Sequence, residues 1–287
     1  MAESDYRFSF NMKKIILPVS VIIPCFNCSH SIMRAVESVI SQVSLPSELI
    51  LVDDFSNDEG KTKNVIEQIK KNNNFSGQIN IKLIFLKKNS GPAGARNKGW
   101  DNATKDYIAF LDADDSWHPQ KLKVQYDWMK SNAFVDLTSH DSEIYFFNKK
   151  TVSFKSFFAS RIAFKDMLFS NQIQTRTVML KAKLPFRFDS AMRYGDDYNL
   201  WIRMISEGKI FCRSNQSLAY IYRSEYSKGG LSSNLAKMER DELHTIYQQY
   251  HLEKINFFTF LAASLWSIIK FLRRVTKKLI PSPFNPR

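Results

Sequence analysis

Four short apolar runs divide the first 115 residues, and each one ends on polar or acidic residues. Residues 19–24 form a β-branched run closed by Pro24, as in a buried parallel strand. Residues 48–53, 81–86 and 107–111 repeat the pattern. Between the runs lie stretches of helical spacing. Residues 29–42 place Ile32, Ala35, Val36, Val39 and Ile40 on one face, and residues 61–71 and 91–103 also read as helices. Strand alternating with helix through short links predicts an α/β fold, a mostly parallel twisted sheet flanked by helices. In such sheets ligands bind beyond the carboxyl ends of the strands. Those ends carry Cys25-Phe-Asn27, Asp53-Asp54 and Asp112-Ala-Asp-Asp115, so three polar strand ends are expected to meet in one crevice.

After Trp117 the pattern is less regular. Residues 120–131 and 196–207 read as helices among short strands, and no internal repeat is present. The sequence divides into a loose leader with the start of the first strand (1–18), a half binding the first ligand (19–116), a second half (117–250) and a basic C-terminal segment (251–287). Lys13-Lys14 before an apolar run resembles a signal peptide. Pro18 and Pro24 interrupt that run and no small-residue cleavage site follows, so a buried strand is the expectation. Residues 255–272 are strongly apolar, with Arg273, Arg274, Lys277 and Lys278 behind them. Lys270 and the short length disfavour a membrane span. A basic amphipathic helix in a membrane interface fits better; the alternative is a helix packed on the domain or on a second subunit.

The 287 residues suffice for a sizeable core, to which 23 Phe contribute. The net charge of +13 admits nucleic acid, an anionic membrane or a phosphorylated substrate. No basic helix has zinc-finger, homeodomain or RNA-binding spacing, so nucleic acid is not expected as a partner. Cys25 and Cys28 form a lone C-x-x-C without a second pair at zinc spacing, and read as small residues closing a strand; with Cys212 they suit a reducing cytoplasm.

Asp112 and Asp114 alternate at a strand end and so face one side, a spacing that suits a hard divalent cation, Mg²⁺ or Mn²⁺, which also binds diphosphate oxygens. An isolated acidic turn is by default a solvated loop; this one follows an apolar strand. Asp53-Asp54 ends another strand, and an acid there suits either a hydrogen bond to a base or ribose, or a helix cap. The glycine loop of residues 89–99 presents backbone amides and Arg96 to a nucleotide's phosphates or carbonyls. It lacks the P-loop pattern, and no G-x-G-x-x-G follows the first strand. Tandem Asp196-Asp197 opens an amphipathic helix; capping accounts for one carboxylate and leaves one for general-base work.

Together these segments resemble a family 2 glycosyltransferase of the inverting, GT-A-fold type. The matching pieces are Val21-Ile-Ile-Pro-Cys-Phe-Asn27, Leu51-Val-Asp-Asp-Phe-Ser56, residues 91–99, Phe110-Leu-Asp-Ala-Asp-Asp115 with Trp117-His-Pro119, and Asp196-Asp-Tyr-Asn-Leu-Trp201, in the family's order. The resemblance implies that Pro24, Phe26 and Asp54 line the nucleoside pocket, with Arg96 near the base or phosphates. It implies Asp112 at the ribose or the metal, Asp114 on Mn²⁺ or Mg²⁺, and Asp197 as base with Asp196 the close second. It also implies a nucleotide-sugar donor, most simply a UDP-sugar, and a saccharide acceptor; the basic C-terminal tail suggests by analogy a lipid-linked saccharide, as in bacterial surface-polysaccharide assembly at the inner face of the cell membrane. Family members often carry a His after a Tyr-Arg pair; here Tyr222-Arg223 precedes Ser224-Glu225, so either Glu225 substitutes as a ligand or the site lacks that contact. The rival expectations are a nucleotidyltransferase or phosphatase built on the same acids, and a non-catalytic nucleotide-binding module.

Overall fold

The computed structural model describes residues 14–72, 77, 79–145, 154, 156–222 and 234–279. The first half follows the sequence pattern closely. Strands β1 (Ile16–Cys25), β2 (Leu45–Asp53), β3 (Asn80–Phe85) and β4 (Tyr107–Phe110) are all parallel, in the spatial order β3-β2-β1-β4. Register pairs Cys25 with Asp53 and Ile22 with Phe110, which brings the three polar strand ends to one edge.

The alternation of side chains along β1 sorts two cores. Val19, Val21, Ile23 and Cys25 face helices α1 (Ile32–Ile40) and α2 (Lys61–Lys71). Ile22 faces the opposite side, with Ala93, Ala95 and Trp100 of α3 (Gly91–Asp101) and Leu200 and Trp201 of α6 (Asp196–Ser206). Helix α3 lies close on the sheet because Gly99 has no Cβ: one there would overlap Ile22 Cγ2 and crowd Val52 Cγ2 at 3.3 Å.

Beyond β4 the sheet turns mixed. Strand β8 (Met179–Lys181) runs antiparallel to β4, β6 (Leu137–Ile144) antiparallel to β8, and β9 (Phe211–Ile221) parallel to β6. Strands β5 (Ser116–Trp117) and β7 (Ser160–Arg161) add antiparallel edges on β9. Three of these strands are only two or three residues long, too short for a period to register in the sequence. Helices α4 (Lys121–Ser131) and α5 (Phe164–Phe169) and the short 3₁₀ turn Thr175–Thr177 complete this half. All three cysteines are buried; Cys25 is the last residue of β1 and Cys28 lies in the loop beyond it.

The chain ends its described part in α7 (Leu235–His251) and α8 (Phe257–Leu279). One stripe of α8 is fixed to the domain. Ala263 and Ser267 are buried, Lys270 pairs with Glu242 at 2.6 Å and donates to the Phe169 carbonyl at 2.8 Å, and Arg274 pairs with Glu239 at 2.9 Å. Another stripe, with Phe258, Leu265, Ile269 and Leu272, is exposed. Among the described residues no helix is long and apolar enough to cross a membrane. Residues 1–13 of the expected leader lie outside the described residues.

The Gly99 contact makes a direct prediction. Gly99→Ala should destabilise the fold by about 1–3 kcal/mol, because the added methyl must push α3 off the sheet. Urea unfolding measures this, and an unchanged midpoint would show that the helix has room to move.

Candidate active site

The crevice is built from loops that leave β1, β2 and β4 side by side. At the β1 and β2 ends, Pro24 is half-buried and Phe26 exposed, while Asp54 is 3% exposed. The two loops are tied together: the Asn27 side chain donates to Asn57 Oδ1 at 2.6 Å and accepts from the Asn57 amide at 2.9 Å. The Asn27 amide donates to Ser56 Oγ at 3.0 Å. Both loops need a left-handed residue, Asn27 at φ +48° and Phe55 at φ +59°, and the bulky Phe55 is an uncommon occupant of that region.

Asp54 is engaged by a segment distant in sequence rather than as the cap of the helix that follows it, whose N-cap is Gly60. Its Oδ1 accepts from the Ser90 amide at 2.7 Å, at the start of α3. Burial outweighs that donor and pushes its carboxyl above the usual carboxylate range.

At the centre stands Arg96, on α3 and 8% exposed. Its Nη2 pairs with Asp112 Oδ1 at 2.8 Å and its Nη1 with Asp196 Oδ2 at 3.2 Å. One guanidinium thus joins the loop after β4 to the first turn of α6. Burial opposes its charge, but Asp112 and Asp196 more than compensate and hold it firmly protonated. Burial alone would raise Asp112; Arg96 and Arg176 reverse that and lower it, so it stays ionised. Burial dominates at Asp196, Arg96 offsets only part, and the Asp197 charge adds to the rise, so its carboxyl reaches about 6.

Asp197 is half-buried beside it. Its Oδ1 accepts from the Tyr198 amide at 2.7 Å and its Oδ2 from Thr175 Oγ1 at 3.3 Å. Burial raises its carboxyl as well. Asp114 lies exposed at the tip of the acidic loop, whose backbone is braced by Arg34 donating to the Asp114 carbonyl at 2.7 Å. The Arg34 guanidinium sits 3.7 Å from the Tyr222 ring centroid. Asp115 is buried against Arg176 at 3.3 Å, and burial lifts its carboxyl to about 8. Glu225 lies outside the described residues.

The structure therefore joins Arg96, Asp112 and Asp196 directly, and sets Asp197 and Asp114 on the two elements that they link. Sequence reasoning passed over Arg34, Thr175 and Arg176. Each is a single polar residue in an unremarkable stretch and reaches the site only through the tertiary fold.

The Glycosyl transferase family 2 profile matches residues 20–189, more than half of the chain. The chain belongs to glycosyl transferase family 2. Its fold has the GT-A-like architecture that its motifs implied. The family match ends before Asp196. An uncharacterized glycosyltransferase of Rickettsia felis is 34% identical over 195 residues, 67% of this chain. The chain spans 31% of that relative's length. The Escherichia coli UDP-Glc:alpha-D-GlcNAc-diphosphoundecaprenol beta-1,3-glucosyltransferase WfgD is 31% identical over 219 residues, covering 76% of this chain and 81% of WfgD. The crystal structure of S. aureus TarS 1-349 in complex with UDP-GlcNAc superposes with a TM-score of 0.69 over 93% of this chain and 77% of that one. At 18% identity that likeness concerns the fold.

Removing the family 2 enzyme's central cation should be costly. Arg96→Met takes from Asp112 and Asp196 the one cation that pairs with both, leaving only Arg176 near Asp112, and should lower stability by about 3 kcal/mol. Denaturant unfolding at neutral pH reads the loss; a midpoint within error of the parent protein would show that the acids are solvated rather than paired.

Proposed function

We propose that this glycosyltransferase moves a sugar from a UDP-sugar to an acceptor hydroxyl with inversion, in surface-polysaccharide synthesis on a lipid-linked saccharide. The observation that carries this reading is the Arg96 bridge, which brings the Asp112 loop and the Asp196-Asp197 helix start into one crevice. The UDP-sugar is supported by WfgD, whose name specifies UDP-Glc and a diphosphoundecaprenol-linked acceptor, and by the UDP-GlcNAc bound to TarS.

Pro24, Phe26 and Asp54 receive the nucleoside at the ends of β1 and β2. Asp197 is the base. Its neighbour's carboxylate is buried and committed to Arg96, whereas Asp197 is half-exposed and has both oxygens oriented by donors. It takes the proton of the acceptor hydroxyl as that oxygen attacks the anomeric carbon, and the nucleoside diphosphate leaves from the opposite face.

A divalent cation fits the remaining acids. Among the described residues no group of three or more His, Cys, Asp or Glu side chains forms an all-protein metal cage. Mg²⁺ and its relatives are commonly held by one or two carboxylates together with substrate phosphates. Asp114, exposed at the loop tip, and Asp112, ionised with Oδ1 on Arg96, supply that donor set. Mn²⁺ or Mg²⁺ there would neutralise charge on the departing diphosphate.

Release of UDP from a panel of UDP-sugars, with Mn²⁺ or Mg²⁺, tests the reading. Asp114→Ala should abolish metal-dependent turnover, and Asp197→Asn should lower kcat by about 10²–10⁴. Because the acid pair holds its protons to a higher pH than ordinary carboxylates, Asp196 to about 6, turnover should fall as pH drops through that region. Wild-type rates from Asp197→Asn, or an NMR-defined product with retained anomeric configuration, would sink the mechanism.

We also infer that α8 lies on the inner face of the cell membrane. Its exposed apolar stripe is accompanied by exposed Arg273 and Lys277, a pairing suited to an anionic bilayer. The enzyme should co-sediment with phosphatidylglycerol-containing vesicles, and replacing Leu265 and Ile269 by Glu should release it; binding that survives those changes would count against α8.

A further inference from the structure

The base candidate is not held by its own helix alone. The 3₁₀ turn Thr175–Thr177, absent from every motif that identifies the family in this chain, touches both sides of the crevice. Thr175 is 4% exposed and donates to Asp197 Oδ2 at 3.3 Å. The next residue, Arg176, pairs with Asp115 in the acidic loop at 3.3 Å, and its carbonyl accepts from Trp117 Nε1 at 2.8 Å, just past that loop. From beneath, Gln125 on α4 donates to the Thr177 carbonyl at 3.1 Å, and Thr177 Oγ1 closes the turn on the Gln174 carbonyl at 2.7 Å. The turn is thus braced by α4 and by the residues flanking the acidic loop, and it offers Asp197 one fixed hydroxyl.

We propose that Thr175 is a positioning residue for Asp197, fixing the direction its carboxylate faces, and that the 175–177 turn ties that carboxylate to the acidic loop. The inference rests on the reading of Asp197 as base only for its effect on rate. A carboxylate with one oxygen on a helix amide and the other on a hydroxyl cannot rotate without losing a bond, so its remaining lone pairs keep one aim. The charged groups facing it are Arg96 from α3, Asp112 from the loop after β4, and Asp196 on its own helix. Burial raises the Asp197 carboxyl; Arg96, the Tyr198 amide and the Thr175 hydroxyl pull it back in that order. Losing the hydroxyl therefore removes a bond that favours the charged form.

The test reads the carboxyl itself. In protein carrying ¹³C-labelled aspartate, the Asp197 Cγ resonance is assigned by its absence from Asp197→Asn. Its titration midpoint should move up in Thr175→Val and return in Thr175→Ser. Thr175→Ala removes the same donor with less bulk and serves if valine is not accommodated. An unmoved midpoint in both the valine and alanine variants overturns the inference. In parallel, kcat for UDP release from UDP-glucose with Mn²⁺ should fall on the order of tenfold in Thr175→Val, with UDP affinity by calorimetry unchanged and activity recovered in Thr175→Ser. A shifted midpoint with unchanged kcat supports the positioning role and overturns Asp197 as the base, so the two ideas fail separately.

Discussion

The contact on which the site depends is the double ion pair of Arg96. Asp112 and Asp196 sit on elements far apart in the chain, and both are largely removed from water. Two carboxylates in such a place repel each other and lose hydration; a single planar guanidinium with donors on two edges satisfies both. What lets Arg96 reach them is the closeness of α3 to the sheet, which follows from the missing Cβ at Gly99. A side chain that contributes nothing but its absence thus sets the height at which the crevice is tied together.

Around that tie the charges are graded. Asp112 is held ionised beside Arg96 and Arg176, whereas Asp196, Asp197 and Asp115 are all raised, chiefly by burial. Neighbouring acids of one chemical type are driven in different directions by their surroundings, which allows one group to bind while another exchanges a proton.

The first half of the fold was legible because its elements are long and regular. The helix expected over residues 61–71 has those bounds in the structure, and the other early elements shift by only a few residues. The strand ends named from the sequence do share one edge. The second half was legible in its helices, expected over 120–131 and 196–207 and found as α4 and α6, but not in its strands: β5, β7 and β8 are too short to carry a period, and their partners are fixed by sheet order rather than by local pattern. The site divides in the same way. Arg96, Asp112 and the tandem Asp196-Asp197 stand in clustered polar motifs at element ends. Thr175, Arg176 and Arg34 act through single long-range contacts that no local spacing encodes. Of the two alternatives for α8 the structure shows the packed one, through one stripe held on the domain, while another stripe stays exposed.

The insertion of β8 beside β4 also has a consequence for how the chain is made. Strand β4 is nearly all buried, yet one of its two edges is covered by residues 179–181 and, among the described residues, by no strand nearer in sequence. Until the ribosome has released that segment, the nascent sheet β3-β2-β1-β4 carries an apolar strand with unmet backbone donors and acceptors, a surface prone to pairing with other chains. The half built on β1 to β4 and the half that follows it are consequently one folding problem. A cut near residue 116, natural-looking from the motifs, would leave the most aggregation-prone edge of the molecule open.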